Sequence, residues 1–195
     1  MTKRSFRIAS LLVAGLCATG IYVGVSRTIF ARPHPNGKGD PDASRIKRGF
    51  AIAPVQLDLR GKNRALVGLG SYIVNAQSEC IDCHSCPSFV DNPFDDGKGE
   101  FNPENYLAGG VPFGPEITSA NLTPDENGRP AGLTLDEFID LIRTGIDPDE
   151  PDEFLPVMPW PIFRNMTDRD LMAIYEYLSA IPHAEPGNCN GPGEG

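Results

Sequence analysis

The feature that most constrains this chain is a five-residue segment, Cys80-Ile81-Asp82-Cys83-His84. Two thiols three positions apart, followed at once by an imidazole, form the attachment sequence of a c-type haem. Each thiol can form a thioether with one vinyl group of a single porphyrin, and the histidine then lies against the iron as an axial ligand. The segment occurs once in the sequence. It therefore predicts one covalently bound haem c, held by Cys80, Cys83 and His84.

Three other interpretations of this segment stay open at this point. A zinc site would need a second pair of ligands at metal-binding spacing. The remaining candidates, which form no such pair, are Cys86, Cys189, His34 and His183. A thioredoxin-like redox pair would need a strand–helix–strand context, which the flanking sequence does not show. A five-letter segment can also match by chance.

The charge of the chain bears on its partners. The 195 residues carry a net charge of −9, and all five charged residues of the segment 1–32 are basic. The rest of the chain therefore holds 12 basic and 26 acidic residues. Such a surface disfavours nucleic acid as a partner. It suits a redox partner protein with a basic or neutral docking face, or it serves only to keep the domain soluble.

Residues 1–32 are predicted to be an export segment. Lys3, Arg4 and Arg7 precede an uncharged stretch over 8–25, whose 18 residues fit either a signal peptide or a membrane helix. We favour an uncleaved anchor in the inner membrane. In both cases the basic end stays inside and the rest of the chain is exported, which predicts a periplasmic location.

The rest of the chain divides into three predicted regions. They are a linker or extended arm over 33–61, a helical domain over 62–182 and an irregular tail over 183–195. Prolines and glycines break up the first and the last of these regions.

Three helices are predicted within the domain, because apolar residues recur there at helical spacing. Their ranges are 63–79, 134–145 and 167–180. A capping box of Thr134 and Glu137 begins the second helix, and Gly145 ends it. Between the helices, turn-forming residues predict long loops over 85–133 and 146–166.

Met158 is the predicted sixth ligand of the haem iron. It lies in the segment 155–161, which contains three prolines. Such a stiff segment can hold a thioether against the iron at little cost in conformational entropy, and a thioether ligand favours the reduced iron. The other candidates are Met166, Met172, His34 and His183. The two methionines lie beside or within the last helix, where a packing role is expected.

The order of these segments resembles that of bacterial class I monohaem c-type cytochromes, from about Leu66 to Pro182. It is similar to the cytochrome domains that accompany periplasmic dehydrogenases. The matching segments, besides the haem segment itself, are Gly70-Ser71-Tyr72, Gly109-Gly110, Asn121-Leu122-Thr123-Pro124-Asp125, Glu137-Phe138, Arg143-Thr144-Gly145, Met158-Pro159-Trp160, Met166-Thr167-Asp168-Arg169-Asp170-Leu171 and Tyr175-x-Tyr177-Leu178.

The resemblance implies an all-α class I cytochrome c fold with long loops, whose first and last helices cross. It implies His84 and Met158 as the axial ligands of the iron. It further implies that Asn121, Arg143 and Trp160 line the haem crevice. From the residues alone, the segment around Asn121 is better explained as a surface turn.

The predicted function is a one-electron carrier rather than an enzyme in its own right. Such a chain can be the cytochrome subunit of a dehydrogenase complex. The alternative is a haem enzyme or sensor, peroxidase-like or gas-binding, whose sixth coordination position is open or opens. An open site would need distal acid–base groups near the iron, and no distal histidine is evident in the sequence.

Two cysteines of the exported region remain after haem attachment, Cys86 and Cys189. In an oxidising compartment an even number of cysteines favours a disulfide bond between them. The bond would tie the tail to the haem-attachment loop, and chain-entropy models give a closed loop of this size roughly 4 to 5 kcal/mol of stabilisation. The alternative is two free thiols.

Overall fold

The computed structural model describes residues 40–91 and 97–189. The predicted leader over 1–32 and His34 lie outside these ranges. The described chain is built mainly from helices, with a small two-stranded antiparallel sheet. Its elements are α1 (Ala43–Ile52), α2 (Arg64–Ala76), α3 (Cys80–His84), α4 (Leu135–Thr144), β1 (Ile146–Asp147), β2 (Glu150–Phe154), α5 (Trp160–Phe163) and α6 (Asp168–Leu178). Among the described residues no helix combines the length and the apolar character that a membrane span needs.

The three predicted helices are confirmed as α2, α4 and α6, and side-chain caps fix where each begins. Asn63 accepts hydrogen bonds from the first backbone amides of α2. Thr134 and Glu137 form the predicted capping box of α4, and Gly145 ends that helix in the left-handed conformation with φ +75°. Thr167 caps α6 in the same manner. These caps satisfy amides that a helix end otherwise leaves without a partner.

Helices α2 and α6 cross in close contact, as the resemblance implied. Gly70 lies at the crossing, where a Cβ atom would overlap the carbonyl group of Ala173 and the side chain of Tyr177. A glycine at this position lets the two backbones approach each other. The crossing brings the beginning and the end of the helical domain together.

Helix α1 differs from the sequence prediction, which placed a linker or extended arm over 33–61. The prolines that suggested irregular structure bound the helix instead of interrupting it, since Pro41 precedes α1 and Pro54 follows it. Inside the helix, Ile46 and Phe50 recur at the spacing of one helical face. Both side chains are half-buried against the hydrophobic core. Packing on the rest of the domain therefore stabilises a helix that has no side-chain cap at Asp42.

Helix α1 packs against α2 at a point where both helices carry small residues. Gly49 of α1 lies against the backbone of Gly68 in α2, and a Cβ on either glycine would overlap its neighbours. The hydroxyl of Ser71 donates a 2.8 Å hydrogen bond to the carbonyl oxygen of Gly49. The small residues of α2 thus let two helices approach closely: α1 contacts Gly68 and Ser71, and α6 contacts Gly70.

The segment 146–166 also differs from the predicted loop. Strands β1 and β2 form a short antiparallel hairpin in which Ile146 pairs with Phe154 and Asp147 with Glu150. Helix α5 adds a single turn after Pro159. The all-α prediction is therefore confirmed for the main architecture only, because the hairpin adds a small sheet. Its residues carry no alternating apolar pattern, so the usual signal of a strand is absent from the sequence.

One hydrophobic core lies between α2, α4, α6 and the loop before α4. It includes Tyr106 and Leu107 from that loop, although the described residues of the loop form no helix or long strand. The buried core residues are Val67, Leu69, Ile73, Val74, Ile81, Tyr106, Leu107, Leu133, Phe138, Leu141, Ile142, Leu171, Ala173, Ile174, Tyr177, Leu178, Ala180 and Ile181.

Candidate functional site

The haem-attachment segment forms helix α3, a single turn placed directly after α2. The chain turns between the two helices at Glu79, which adopts the left-handed conformation with φ 52°. In a helical turn, residues three and four positions apart lie on one face. Cys80, Cys83 and His84 therefore share a face of α3, and all three are half-buried. Ile81 points away from them into the core and is 3% exposed.

The imidazole of His84 is oriented by a backbone carbonyl. Its Nδ1 lies 2.8 Å from the carbonyl oxygen of Ala120. A carbonyl oxygen can only accept, so Nδ1 carries the proton and Nε2 keeps its lone pair. This is the tautomer that binds a metal through Nε2, and a hydrogen bond of this kind fixes the ring and increases its basicity. Burial lowers the pKa of His84, which favours the neutral imidazole that a metal requires.

A close pairing of two loop segments places Ala120 beside His84. The amide of Gly109 donates a 2.7 Å hydrogen bond to the carbonyl oxygen of His84. Gly109 itself has φ +75° and lies so near Ala120 that a Cβ atom would overlap it. The amide of Gly110 donates to the carbonyl oxygen of Ser119 at 3.0 Å. The loop around Gly109 thus connects His84 and its hydrogen-bond acceptor.

The thiols of Cys80 and Cys83 are free, and no disulfide joins them. Burial raises the pKa of Cys80 to about 12 and also raises the pKa of Cys83. A dithiol redox pair of the thioredoxin kind needs the opposite shift, because it reacts as the thiolate. The environment of the two thiols therefore does not favour the redox-pair interpretation.

These residues fit a covalently bound haem. Two neutral thiols and a neutral imidazole share one face of a helical turn, and the donor set of two thioether-forming sulfurs with one histidine is that of a c-type haem. The nitrogen of His84 that would face an iron is the one not used in the hydrogen bond to Ala120.

Met158 lies in a segment whose backbone is held at both ends. The amide of Leu155 donates a 2.8 Å hydrogen bond to the carbonyl oxygen of Gly145. The amide of Trp160 donates a 2.8 Å hydrogen bond to the carbonyl oxygen of Met158 itself. The Met158 side chain is half-buried and packs against the core, as does Met166. The core that receives Met158 also receives Cys80 from α3.

Asn121 lies beside the residue that orients His84. Its side-chain oxygen accepts hydrogen bonds from the amide and the hydroxyl of Thr123, at 2.8 and 2.6 Å. Its side-chain nitrogen donates a 2.8 Å hydrogen bond to the carbonyl oxygen of Ala184 in the C-terminal tail. Asn121 therefore builds a compact turn, as its residues indicate, but the turn is not a surface turn, because Thr123 is buried and the tail bonds to it.

Arg143 and Trp160 lie together around the Met158 segment. Arg143, at the end of α4, forms a 2.8 Å ion pair with Asp168 of α6 and also donates to the carbonyl oxygen of Arg164. The ring of Trp160 lies against Gly145, where no Cβ atom could fit. It also stacks on Phe154, with 5.6 Å between ring centroids. Both residues fix the hairpin and α5 onto the ends of α4 and α6.

The structure thus divides the predicted site residues into two groups that border one core. Asn121 belongs with His84 through Ala120, whereas Arg143 and Trp160 belong with the Met158 segment. Sequence reasoning missed Ala120, because a backbone carbonyl leaves no mark on the residue type. It also missed the polar cluster of Asn75, Tyr106 and Tyr177, although tyrosines in an apolar context usually need a hydrogen-bond partner.

Cys86 and Cys189 are joined by a disulfide bond in the structure, with 5.0 Å between their Cα atoms. Cys86 is fully buried beside α3, and Cys189 lies in the tail. The pair links positions 103 residues apart.

Comparison with known proteins identifies relatives among cytochrome c subunits. The gluconate 2-dehydrogenase cytochrome c subunit of Pantoea cypripedii is 31% identical over 119 residues, which is 60% of this chain and 23% of the relative. The cytochrome c subunit of a quinone-dependent alcohol dehydrogenase from Gluconobacter oxydans is 31% identical over 120 residues, 60% of this chain and 21% of the relative. The fructose dehydrogenase cytochrome subunit of Gluconobacter japonicus is 29% identical, with the same two shares.

These relatives are cytochrome c subunits of dehydrogenases, the class of protein that the sequence segments resembled. The similarity confirms that resemblance. The matched region spans about a quarter of the length of the curated relatives. No protein-family model matches the chain.

Proposed function

We propose that this chain is a c-type cytochrome that carries single electrons through one covalently bound haem c. Cys80 and Cys83 form the two thioethers, and His84 binds the iron through Nε2. The observation that carries the proposal is the arrangement of the three residues on one turn of α3, with the His84 ring already oriented by the Ala120 carbonyl. The haem supplies a one-electron couple of ferric and ferrous iron.

Met158 is the proposed second axial ligand. Three features of this residue support the assignment: its thioether, its half-buried position against the core that also contacts Cys80, and its fixed backbone. A ligand on a rigid segment loses little entropy when it binds. A bound thioether closes the sixth coordination position, which suits electron transfer better than catalysis. The alternative is a haem enzyme or sensor in which the sixth coordination position of the iron is open or opens.

The relatives support a role beside a dehydrogenase. Each is named as a cytochrome subunit of an enzyme that oxidises a small molecule. We infer that this chain accepts electrons from such an enzyme and passes them to a further redox protein, and that it is not itself the catalytic subunit. The basic residues before the uncharged stretch 8–25 support export and a periplasmic, membrane-anchored location. Arg143 and Trp160, together with the turn at Asn121, are proposed to border the haem.

The test is expression with export and the cytochrome maturation machinery. The wild type should give one haem-stained band on a denaturing gel and a mass increased by one haem. The variant Cys80→Ala/Cys83→Ala should give neither, because no other attachment segment occurs in the sequence. A matched control is Cys86→Ala/Cys189→Ala, which removes two other cysteines and should retain the stain.

The same preparation tests the ligands. Ferrous wild-type protein should bind carbon monoxide slowly or not at all, because Met158 occupies the sixth position. Fast and complete binding of carbon monoxide to the wild type would show a haem protein with an open site and would contradict the proposed electron carrier. A haem-stained band that survives the loss of Cys80 and Cys83 would overturn the attachment assignment.

A further inference from the structure

The C-terminal tail runs along the segment that orients His84. The peptide of Ala184 makes two hydrogen bonds with the turn 121–123, since its carbonyl accepts from Asn121 at 2.8 Å and its amide donates to the Thr123 hydroxyl at 3.3 Å. The Thr123 hydroxyl in turn donates to Asn121. These three hydrogen bonds join Asn121, Thr123 and Ala184, so the tail is part of the hydrogen bonding of the turn. Ala120, the acceptor for His84, immediately precedes that turn.

The tail also holds the second loop segment beside His84. The side chain of Asn105 donates a 3.0 Å hydrogen bond to the carbonyl oxygen of Glu185. Pro186 packs on Gly110, where an added Cβ would lie 2.8 Å from the proline ring. Gly110 is the residue that pairs with Ser119 in front of Ala120. The tail thus contacts both segments that pair around the acceptor.

The end of the tail is fastened to the haem-attachment loop. Gly187 passes so close to the carbonyl group of Cys86 that a Cβ atom could not be accommodated there. Two residues later, Cys189 forms the disulfide bond with Cys86, which lies two positions after His84. One covalent bond therefore joins the tail to the loop that carries His84, and hydrogen bonds join it to the turn that carries the acceptor.

We propose that residues 183–189 are a strap, closed by the Cys86–Cys189 disulfide, that holds the 119–123 segment against His84 and so maintains the hydrogen bond from His84 Nδ1 to Ala120. The strap residues are positioning residues. They contact the 119–123 segment, which orients His84, and they do not contact His84 Nε2, which would bind the iron. The inference rests on the proposed function, because the iron bound by His84 reports its effect.

A consequence for the iron follows from the chemistry of the imidazole. The hydrogen bond at Nδ1 makes Nε2 a stronger electron donor, and a stronger donor stabilises ferric over ferrous iron. Opening the strap weakens this hydrogen bond. The reduction potential should then rise. Both ligands of the iron should stay in place, which distinguishes this effect from the loss of a ligand.

The experiment compares holoprotein of the wild type with Cys86→Ala/Cys189→Ala. Alkylation followed by mass spectrometry of the peptides first establishes the bond: Cys86 and Cys189 should carry no alkyl group without reductant and one each with it. Amide hydrogen exchange is then measured at Gly110, Leu122, Thr123 and Ala184. These amides should exchange about tenfold faster in the variant, because local opening governs their exchange. Amides of α4 should keep their rates.

Two further measurements connect the strap to His84. The ring N–H of His84, observed by NMR in the diamagnetic ferrous protein, should exchange faster with water in the variant. The reduction potential should rise while the haem stain is retained. Thr134→Ala is the matched control, because it removes the cap of α4 without touching the strap. It should lower stability and leave the His84 N–H and the potential unchanged.

Several outcomes would overturn the strap. Alkylation of both Cys86 and Cys189 in the unreduced wild type would show that the disulfide bond of the strap is absent. Equally faster exchange in the turn and in α4 would show a general loss of stability. Faster exchange in the turn alone, without any change in the His84 ring N–H, would show that the strap does not maintain the hydrogen bond of His84. A wild type that lacks covalent haem would instead overturn the proposed function. In that case exchange at the four amides of the apoprotein still decides whether the strap holds the turn.

Discussion

The hydroxyl of Tyr106 donates a 2.5 Å hydrogen bond to the side-chain oxygen of Asn75. The Tyr177 hydroxyl, 2.8 Å away, donates to that of Tyr106, and the Asn75 amide nitrogen lies 3.2 Å from the Tyr177 hydroxyl. The three side chains form a closed ring of hydrogen bonds between α2, α6 and the long loop. Burial raises the pKa of both tyrosines, so the ring stays protonated across the physiological range.

We expect Tyr106→Phe to reduce the free energy of unfolding by about 1–3 kcal/mol, because it leaves the buried Tyr177 hydroxyl and the half-buried Asn75 oxygen each short of a partner. Denaturant unfolding measures this loss as a lower midpoint at an unchanged slope. Tyr72→Phe is the control, since Tyr72 lies half-buried on α2 outside the ring. A loss below about 0.5 kcal/mol for Tyr106→Phe would mean that the ring does not stabilise the fold.

The crossing of α2 and α6 should be equally sensitive to a single methyl group. Gly70→Ala places a Cβ atom on the carbonyl group of Ala173, so the helices must move apart. Overpacking of this kind costs about 1–3 kcal/mol. The exposed end of α2 provides a control, because Ala76→Ser should change the unfolding free energy by less than about 0.5 kcal/mol. Equal stability of Gly70→Ala and wild type would show that the crossing is looser than described.

The sequence predicted those parts of the fold that have a local signal. Helices α4 and α6 begin at Thr134 and Thr167, whose caps involve residues three positions away. Helix α1 has no such signal, since Asp42 makes no capping bond and the helix depends on α2 for its burial. The hairpin β1–β2 could not be predicted from the sequence either, because its exposed acidic residues lack the apolar alternation of a strand.

The candidate site shows the same division. Cys80, Cys83 and His84 stand out in the sequence because Cys-x-x-Cys-His is itself a local pattern, and the structure places them on one face of α3. The hydrogen bond from His84 to Ala120 spans 36 residues and ends on a backbone atom, so no residue pattern encodes it. Asn121 drew attention as a polar turn, yet its link to Ala184 in the tail depends on the tertiary fold.

Met158→Ala should leave the haem attached and open the sixth position of the iron. Carbon monoxide should then bind the ferrous protein readily, and the reduction potential should fall with the loss of the thioether. Met172→Ala is the matched control, because Met172 is half-buried within α6, and its loss should affect packing only. If Met158→Ala binds carbon monoxide as slowly as the wild type, another residue occupies the sixth position, whereas equally fast binding by both means that the position is open in the wild type.

His183 gives the tail a dependence on pH. Its Nε2 lies 3.0 Å from a carboxylate oxygen of Glu185, and its Nδ1 lies 3.0 Å from the carbonyl oxygen of Pro124. Both partners are acceptors, and the Thr123 hydroxyl, 3.2 Å from Nδ1, already donates its proton to Asn121, so the doubly protonated ring fits best. The hydrogen bond to Glu185 is the main cause that raises the pKa of His183 above its usual value, with a smaller contribution from Pro124.

The sign of the effect on stability follows from linkage. A pKa raised in the folded state means that folding favours the protonated ring, so the stabilisation is fully present below about pH 6.5, the value for the unfolded chain. It is lost as the pH rises through the pKa of the folded state. Because the pair is exposed, the contribution should stay below about 1 kcal/mol.

The measurement is the difference in unfolding free energy between the wild type and His183→Gln as a function of pH, since this difference cancels the titration of other groups. It should be largest near pH 6 and shrink toward pH 8 to 9. An NMR titration of the ferrous wild type should give His183 a pKa above about 6.5. Glu185→Gln is the matched variant and should lower that pKa, because it removes the main cause of the shift. A His183 pKa at or below 6.5, or a difference that grows with pH, would contradict the assigned contacts.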